Sequence, residues 1–96
     1  MGIKEIKDCA GSALELGDAI EKLNLSNFGA GVVDDKLDKF GSSCNVDKSE
    51  KNIIRNTIAG GIYDIKQEKY EWAKNSFKLA REQVYGSALV KIKEKF

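Results

Sequence analysis

Apolar residues recur at steps of three and four along nearly the whole chain, and this spacing limits the possible folds more than any other feature. In the first helix-forming segment they define one amphipathic face. Its members are Ile3, Ile6, Ala10, Ala13, Leu16, Ile20 and Leu23. The chain also lacks proline, a residue that interrupts helices because it has no amide hydrogen. The pattern therefore predicts long helices, the first over residues 3–23.

A second, shorter helix is predicted over about 28–40. Ser26 or Asn27 precedes it as an N-cap, and Gly41 stands where a C-cap glycine belongs. Its apolar stripe comprises Phe28, Val32, Val33, Leu37 and Phe40. The small polar segment 41–47 that follows is expected to be a loop between two helical hairpins.

The second half predicts two more helices. Asp47 and Glu50 have the spacing of a capping box, and helix three is expected to run from there to about Gln67. Its apolar positions are four or three residues apart: Ile54, Ile58, Ile62 and Ile65. Helix four is expected from about Glu68 onward. Its last residues, "LVKIKEKF", alternate like a strand, but with no strand to pair with they are interpreted as the helix end.

Helix four has two apolar stripes. The longer comprises Tyr70, Ala73, Phe77, Ala80, Val84 and Ala88. Trp72, Leu79 and Val90 form the second, on nearly the opposite side at about 100° per residue. We expect the second stripe to be buried against helices one and two; the alternative is a docking groove or a homodimer seam.

Residues 57–84 resemble a single tetratricopeptide-repeat hairpin. Gly61, Tyr70, Ala73, Phe77 and Ala80 fall at the spacings at which that family places small and aromatic residues between two antiparallel helices. The resemblance implies that the small residues allow close helix approach and that the two rings fill the space between the helices.

Together these patterns predict an all-α fold, a four-helix bundle of two antiparallel hairpins with a tetratricopeptide-like second hairpin. The chain is expected to form a single domain over residues 1–96. Hairpin one covers about 3–40 and hairpin two about 48–95, and helix four is central and the longest. Residues 1–47 carry a net charge of −4 and residues 48–96 one of +5. We expect the halves to attract each other within one fold; an antiparallel dimer is the alternative.

Histidine is absent, so Ser-His and Cys-His nucleophile pairs cannot be built. We expect no enzyme activity, no cofactor and no metal. Asp34, Asp35 and Asp38 could hold a divalent cation, but we interpret them as a solvated acidic face with an Asp35–Lys39 pair. Cys9 and Cys44 are expected as free thiols in a cytoplasmic protein; a disulfide, the alternative, would tie the first helix to the middle loop.

The function expected from these features is protein binding by a small adaptor, inhibitor or immunity-type module that acts through a helical face. The residues expected to bind the partner are Trp72, Leu79, Val90, Lys74, Lys78 and Arg81. The alternative is a nucleic-acid-associated regulator that uses the basic C-terminal half and acts either as a single chain or as a dimer. A homodimer is an option in either case, and membrane association is not expected, since no apolar run is long enough to span a bilayer.

Overall fold

The computed structural model describes residues 2–23 and 30–94, which form four α-helices. The helices are α1 (Ile3–Lys22), α2 (Ala30–Ser43), α3 (Lys48–Lys66) and α4 (Tyr70–Glu94). α1 packs against α2 and α4, and α3 packs against α4, whereas α2 and α3 touch more sparsely. The predicted all-α four-helix bundle is confirmed, and α4, with 25 residues, is the longest helix.

All four helices contribute to one hydrophobic core. The largest fully buried side chains include Leu16 and Ile20 of α1, Phe40 of α2, Ile54 of α3 and Phe77 of α4. These positions lie on the stripes that the spacing of apolar residues predicts. The last residues of α4 remain helical through Glu94, so the interpretation of this segment as the helix end is confirmed within the described part of the chain.

The boundaries of α2 differ from the prediction. The helix continues to Ser43 instead of ending at Phe40, so Gly41 lies inside it and is not a C-cap. Gly41 is buried, and a Cβ there would lie 2.5 Å from Cδ of Lys51. This glycine therefore makes room for a side chain of α3. The predicted caps Ser26 and Asn27, and the first stripe residue Phe28, lie outside the described residues.

The start of α3 shows half of the predicted capping box. The carboxylate of Asp47 accepts a hydrogen bond from the backbone N–H of Glu50 at 2.8 Å, as an N-cap should. The carboxylate of Glu50 does not return this bond but accepts one from the hydroxyl of Ser87 at 2.7 Å. Glu50 thus links α3 to α4, because its carboxylate accepts from the hydroxyl of Ser87 in α4 instead of from the backbone amide of Asp47.

Three predicted stripe residues are exposed to solvent. Ile3 is exposed because no other helix covers the first turn of α1, and Val32 lies on the outward side of α2. Tyr70 is 61% exposed, because it begins α4 immediately after the turn, where α3 has already ended. The tetratricopeptide resemblance implied that the ring at position 70 fills the space between α3 and α4. The exposed ring of Tyr70 does not do so.

Cys9 and Cys44 form a disulfide, which corrects the expectation of free thiols. The end of α2 brings the Cα atom of Cys44 to 4.6 Å from that of Cys9 in α1, and both side chains are fully buried. The bond ties α1 to the segment after α2. This is the connection that the sequence predicts for the case in which a disulfide forms. Sequence spacing could not decide between thiols and a disulfide, because the contact depends on how the two helices pack.

None of the helices formed by residues 2–23 and 30–94 combines the length and apolar character that crossing a membrane requires.

Candidate functional site

The stripe of Trp72, Leu79 and Val90 on α4 is exposed, with 60%, 49% and 54% of each residue accessible. The expectation that α1 and α2 bury this stripe is therefore wrong. The reason lies in the other stripe of α4, where Ala73, Ala80 and Ala88 let neighbouring helices approach closely while Phe77 and Val84 fill the core. A helix in a four-helix bundle has only one inward side, and the stripe with small residues takes it.

Two contacts define where α3 meets α4. The hydroxyl of Ser87 donates to Glu50 near one end of the seam, and Gly61 packs directly against the ring of Phe77 toward the other. Because successive helical residues are rotated by about 100°, four α3 residues follow on the solvent side of this seam. They are Ile53, Thr57, Gly60 and, toward the end of α3, Asp64. The exposed stripe of α4 lies on the solvent side of the same seam, next to them.

We call this combined surface the outer face. It consists of Ile53, Thr57 and Gly60 of α3 together with Trp72, Ser76, Leu79, Gln83, Gly86 and Val90 of α4. No member of this set carries a charge, in a chain with 32% charged residues. The charged residues Asp64 and Lys69 lie near one end of it, and Glu82 lies along its edge. Protein interfaces are depleted in charge at their centre, and the centre of the outer face has this property. Its one aromatic side chain, Trp72, lies at the end near the α3–α4 turn.

Few polar groups on the outer face depend on hydrogen bonds to water. The hydroxyl of Thr57 donates to the backbone carbonyl of Ile53 at 3.0 Å, so its main hydrogen bond is made within α3. Ser76 and Gln83 are half-buried beside the seam, and Gln83 is the exception, because its Oε1 atom is buried without a hydrogen-bond partner among the described residues. Covering this surface would therefore leave few polar groups without partners, and burying such groups is the main cost of covering a polar surface.

Gly60 and Gly86 lie within helices on the outer face, and a Cβ at either position would have no neighbouring atom within 4 Å. Glycine inside a helix costs about 1 kcal/mol relative to alanine. At Gly61 that cost is offset by the packing of Phe77, but at Gly60 and Gly86 no contact among the described residues offsets it. Because glycine has no side chain, Gly60 and Gly86 each leave a shallow hollow in the outer face.

The indole of Trp72 has a charged neighbour. Nζ of Lys69 lies 4.4 Å from the ring centroid, a distance at which a cation–π interaction forms. The lysine and the indole are both at the surface, where such a contact contributes on the order of 0.5 to 1 kcal/mol. It orients the indole near the α3–α4 turn and leaves most of the rest of the stripe uncovered.

The basic residues predicted to act with the stripe lie elsewhere on α4. Lys74, Lys78 and Arg81 are rotated by between about 120° and 180° from Trp72, toward the side of α4 that packs on α1. Lys74 and Lys78 are exposed, while Arg81 is half-buried with its Nη1 atom out of contact with solvent. The structure thus divides the six predicted site residues into two groups on different sides of one helix.

The acidic residues of α2 are engaged in ion pairs with α3. Asp38 contacts Lys51 at 3.2 Å and Arg55 at 3.7 Å, and Asp34 contacts Arg55 at 3.9 Å. These contacts confirm that the acidic and basic halves attract each other within the fold. Within residues 2–23 and 30–94, no three cysteine, aspartate or glutamate side chains converge as metal ligands would.

Lys39 does not make the expected pair with Asp35. Its ammonium group and that of Lys36 lie 3.2 Å and 3.3 Å from the carboxylate of Glu15 in α1. The hydrogen bond from Lys39, followed by that from Lys36, lowers the pKa of Glu15 below its ordinary value. This cluster joins α1 to α2 on the side of the bundle away from α4.

A shallow apolar groove of about 180 Å³ lies between α2 and α3, where these helices touch sparsely. Val33, Ile58 and Ile62 line it, and Asp34 and Arg55 stand at its edge. The groove borders Ala30, the first described residue after the gap at 24–29. Its lining offers no set of convergent polar groups of the kind that fixes a small ligand.

Comparison with known proteins gives no relative: no family model matches the chain, and no curated protein or solved structure matches it. The candidate site therefore rests on its own geometry. Sequence reasoning identified Trp72, Leu79 and Val90 but missed Ile53, Gly60 and Gly86. A signal was present, since Ile53 and Gly60 are seven residues apart, as are Leu79 and Gly86, and residues seven apart share one side of a helix.

Proposed function

We propose that this chain is a small non-catalytic protein-binding module, of the adaptor, inhibitor or immunity type, and that its partner binds the outer face. The observation that carries the proposal is the exposure of Trp72, Leu79 and Val90 on a surface whose centre carries no charge. Exposed apolar patches of this kind mark interaction sites in proteins that are otherwise covered by polar residues.

The non-catalytic part of the proposal rests on side-chain chemistry. Histidine is absent from the whole sequence, and both cysteines are consumed in a buried disulfide. The chain therefore has neither an imidazole base nor a thiolate nucleophile. The carboxylates of Asp34, Asp38 and Glu15 are held in ion pairs with lysine and arginine, an arrangement that joins helices.

The proposal is tested by site-specific photo-crosslinking in the cells that naturally make the chain. A photoreactive p-benzoylphenylalanine is placed at Ser76 or Gln83, both on the outer face, and as a control at Leu14, which is 59% exposed on α1. We expect one defined protein adduct from positions 76 and 83 and none from position 14. Absence of adducts at 76 and 83, or the same adducts at all three positions, would overturn the proposal.

The alternative of nucleic-acid binding through the basic half is less well supported. It combined lysines and Arg81 with aromatic rings on one surface, but Trp72 lies on the side of α4 away from Lys74 and Arg81, and its ring is in contact with Lys69. Binding to nucleic acid through several lysines would weaken steeply as salt is raised. Measuring affinity for single- and double-stranded DNA and RNA at two salt concentrations decides this point.

A cytoplasmic location stays part of the proposal, and the disulfide provides its test. Disulfides persist in oxidising compartments and are rare in the cytosol of most organisms. Alkylation of thiols in intact cells, followed by mass spectrometry of the chain, reports whether Cys9 and Cys44 are reduced. Alkylated cysteines would support a cytoplasmic chain that oxidises later, whereas unmodified cysteines in a disulfide would place the chain in an oxidising compartment.

A further inference from the structure

We infer that the occupant of the outer face is a second copy of this chain, bound as a two-fold symmetric dimer. The inference rests on the proposed function, since it names the partner of the same surface. Three properties of the outer face support this inference. They are the lack of charge at its centre, its pattern of projecting side chains and glycines, and its size.

Charge argues for self-association on this surface. Interfaces between different proteins gain specificity and association rate from complementary charges, and the outer face offers none from Ile53 to Gly60 or along the stripe from Trp72 to Val90. When two copies of one surface meet across a two-fold axis, a charge near the axis faces the same charge of the second copy, whereas a charge far from the axis faces a different residue. The centre of the outer face, around Leu79 and Gln83, carries no charge and avoids this repulsion, and Asp64 lies away from that centre, toward the Trp72 end.

The positions of the large side chains and glycines on the outer face fit a two-fold symmetric pairing of two copies. In a two-fold interface, residue i of one copy contacts residue j of the other, and the reverse contact is made as well. Trp72 and Val90 lie at equal distances in sequence on either side of Arg81, as do Ser76 and Gly86. An antiparallel pairing of the two α4 helices centred there places the indole of Trp72 of each copy over the hollow near Gly86 and Val90 of the other.

This arrangement also accounts for the exposed helical glycines. A Cβ at Gly60 or Gly86 meets no atom within 4 Å in the single chain, so the fold of one copy does not require glycine at these positions. In the dimer the absence of a side chain leaves room for the ring or leucine of the second copy. The stability lost by placing glycine in a helix is then recovered at the interface.

The long side of the molecule sets an upper limit on the area of the outer face. The molecule measures 44 Å by 18 Å by 18 Å, so one long face projects about 800 Å². Stable protein interfaces bury about 800 Å² on each partner. The outer face therefore matches the area of a standard interface only if it is used along most of the length of the α3–α4 hairpin.

Sedimentation equilibrium of the purified chain over a wide concentration range tests the inference. We expect a monomer–dimer equilibrium that Leu79→Glu weakens at least about tenfold, because it buries two carboxylates at an apolar contact. Leu14→Glu makes the same change at a leucine of similar exposure on α1 and should leave the equilibrium unchanged. Circular dichroism checks that both variants keep their helices.

Gly86→Leu provides a second test that does not depend on destabilising the fold. The new side chain has open space in the single chain and raises helix propensity, yet it fills the hollow that should receive Trp72 of the second copy. We expect a helix at least as stable as the wild type and a dimer that is at least about tenfold weaker. An unchanged or tighter dimer in this variant would overturn the arrangement.

A wild-type chain that stays monomeric, or equal weakening by Leu14→Glu and Leu79→Glu, would overturn the second copy as the partner. The crosslinking at Ser76 and Gln83 separates this result from failure of the proposed function. Adducts with the mass of two chains support the dimer. Adducts with a different protein retain the binding face and overturn the second copy, and no adducts overturn both.

Discussion

Gly61 of α3 lies so close to Phe77 of α4 that a Cβ at position 61 would fall 2.5 Å from Cε1 and 2.8 Å from Cδ1 of the ring. The ring of Phe77 is fully buried and has no free space into which it could rotate away. This contact sets the distance between the two helices of the second hairpin. Its neighbour Gly60 has no such contact, so adjacent glycines in one helix have opposite structural roles.

Gly61→Ala is expected to destabilise the chain by up to about 2 kcal/mol. The gain of about 1 kcal/mol in helix propensity is exceeded by the cost of overpacking a buried ring, which is typically about 1 to 3 kcal/mol. Gly60→Ala is the matched control and should stabilise the chain by about 0.5 to 1 kcal/mol. Urea unfolding followed by circular dichroism, at concentrations where both variants are monomeric, measures the difference. A shift of both variants in the same direction would contradict the contact.

Leu79→Ala should change the stability of the monomer by less than about 1 kcal/mol, because surface substitutions usually have small effects. Phe77→Ala, two residues away on the buried side of α4, should cost about 3 to 5 kcal/mol. Comparing the unfolding midpoints of the two variants distinguishes an exposed stripe from a buried one. A loss in Leu79→Ala close to that in Phe77→Ala would mean that the stripe belongs to the core.

The two stripes of α4 show how far sequence reasoning reaches. The spacing of Ala73, Phe77 and Val84 is a local property, so it predicts correctly that these residues share one side of a helix. Which apolar stripe faces inward depends on the other helices, and the expectation that α1 and α2 would bury the stripe of Trp72 and Leu79 as well was wrong. Burial was decided by how closely helices can approach, and the alanines at 73, 80 and 88 allow the closer approach.

The features that sequence reasoning missed depend on contacts between distant parts of the chain. Glu50 has the local spacing of a capping box, but Ser87 offers its carboxylate a hydroxyl donor from α4. Cys9 and Cys44 are 35 residues apart, and only the packing of α1 against α2 brings them together. Gly60 and Gly86 join the outer face for the same reason, because the α3–α4 seam places them there.

Removing the disulfide with the double substitution Cys9→Ala and Cys44→Ala should lower the free energy of unfolding by about 3 to 4 kcal/mol. This is the entropy-based expectation for a bond that closes a loop of about 35 residues. Urea unfolding of the oxidised wild type and of the double variant measures the loss. Equal midpoints would show that the bond does not constrain the unfolded chain.

Burial of the same disulfide predicts slow reduction of the folded protein. Both sulfur-bearing side chains have no exposure to solvent, and thiol–disulfide exchange requires that the attacking thiolate reach a sulfur atom. Reduction should therefore accelerate strongly in Gly61→Ala, which opens more often, and remain slow in Gly60→Ala. Timed alkylation after addition of reductant follows the reaction. Rapid reduction of the wild type at a rate independent of stability would contradict the burial.

The Glu15 cluster predicts a measurable dependence on pH. The hydrogen bond from Lys39, and then that from Lys36, lowers the pKa of Glu15 in the folded chain relative to its ordinary value. The folded state thus holds the ionised carboxylate more favourably than the unfolded state does. The resulting stabilisation is present at neutral pH and is lost as the pH falls from the ordinary carboxyl range through the lowered pKa of Glu15.

NMR titration of the Glu15 side-chain carboxyl carbon measures this shift directly. Lys39→Gln and Lys36→Gln should each raise the pKa of Glu15 toward its ordinary value, because each lysine donates a hydrogen bond to the carboxylate and adds a positive charge beside it. Added salt should act in the same direction, since these side chains are accessible to solvent and their interaction is screened. Lys48→Gln, at the start of α3 and outside the cluster, serves as the control and should leave the titration unchanged. If Lys39→Gln and Lys48→Gln give the same pKa for Glu15, the cluster does not join α1 to α2 in solution.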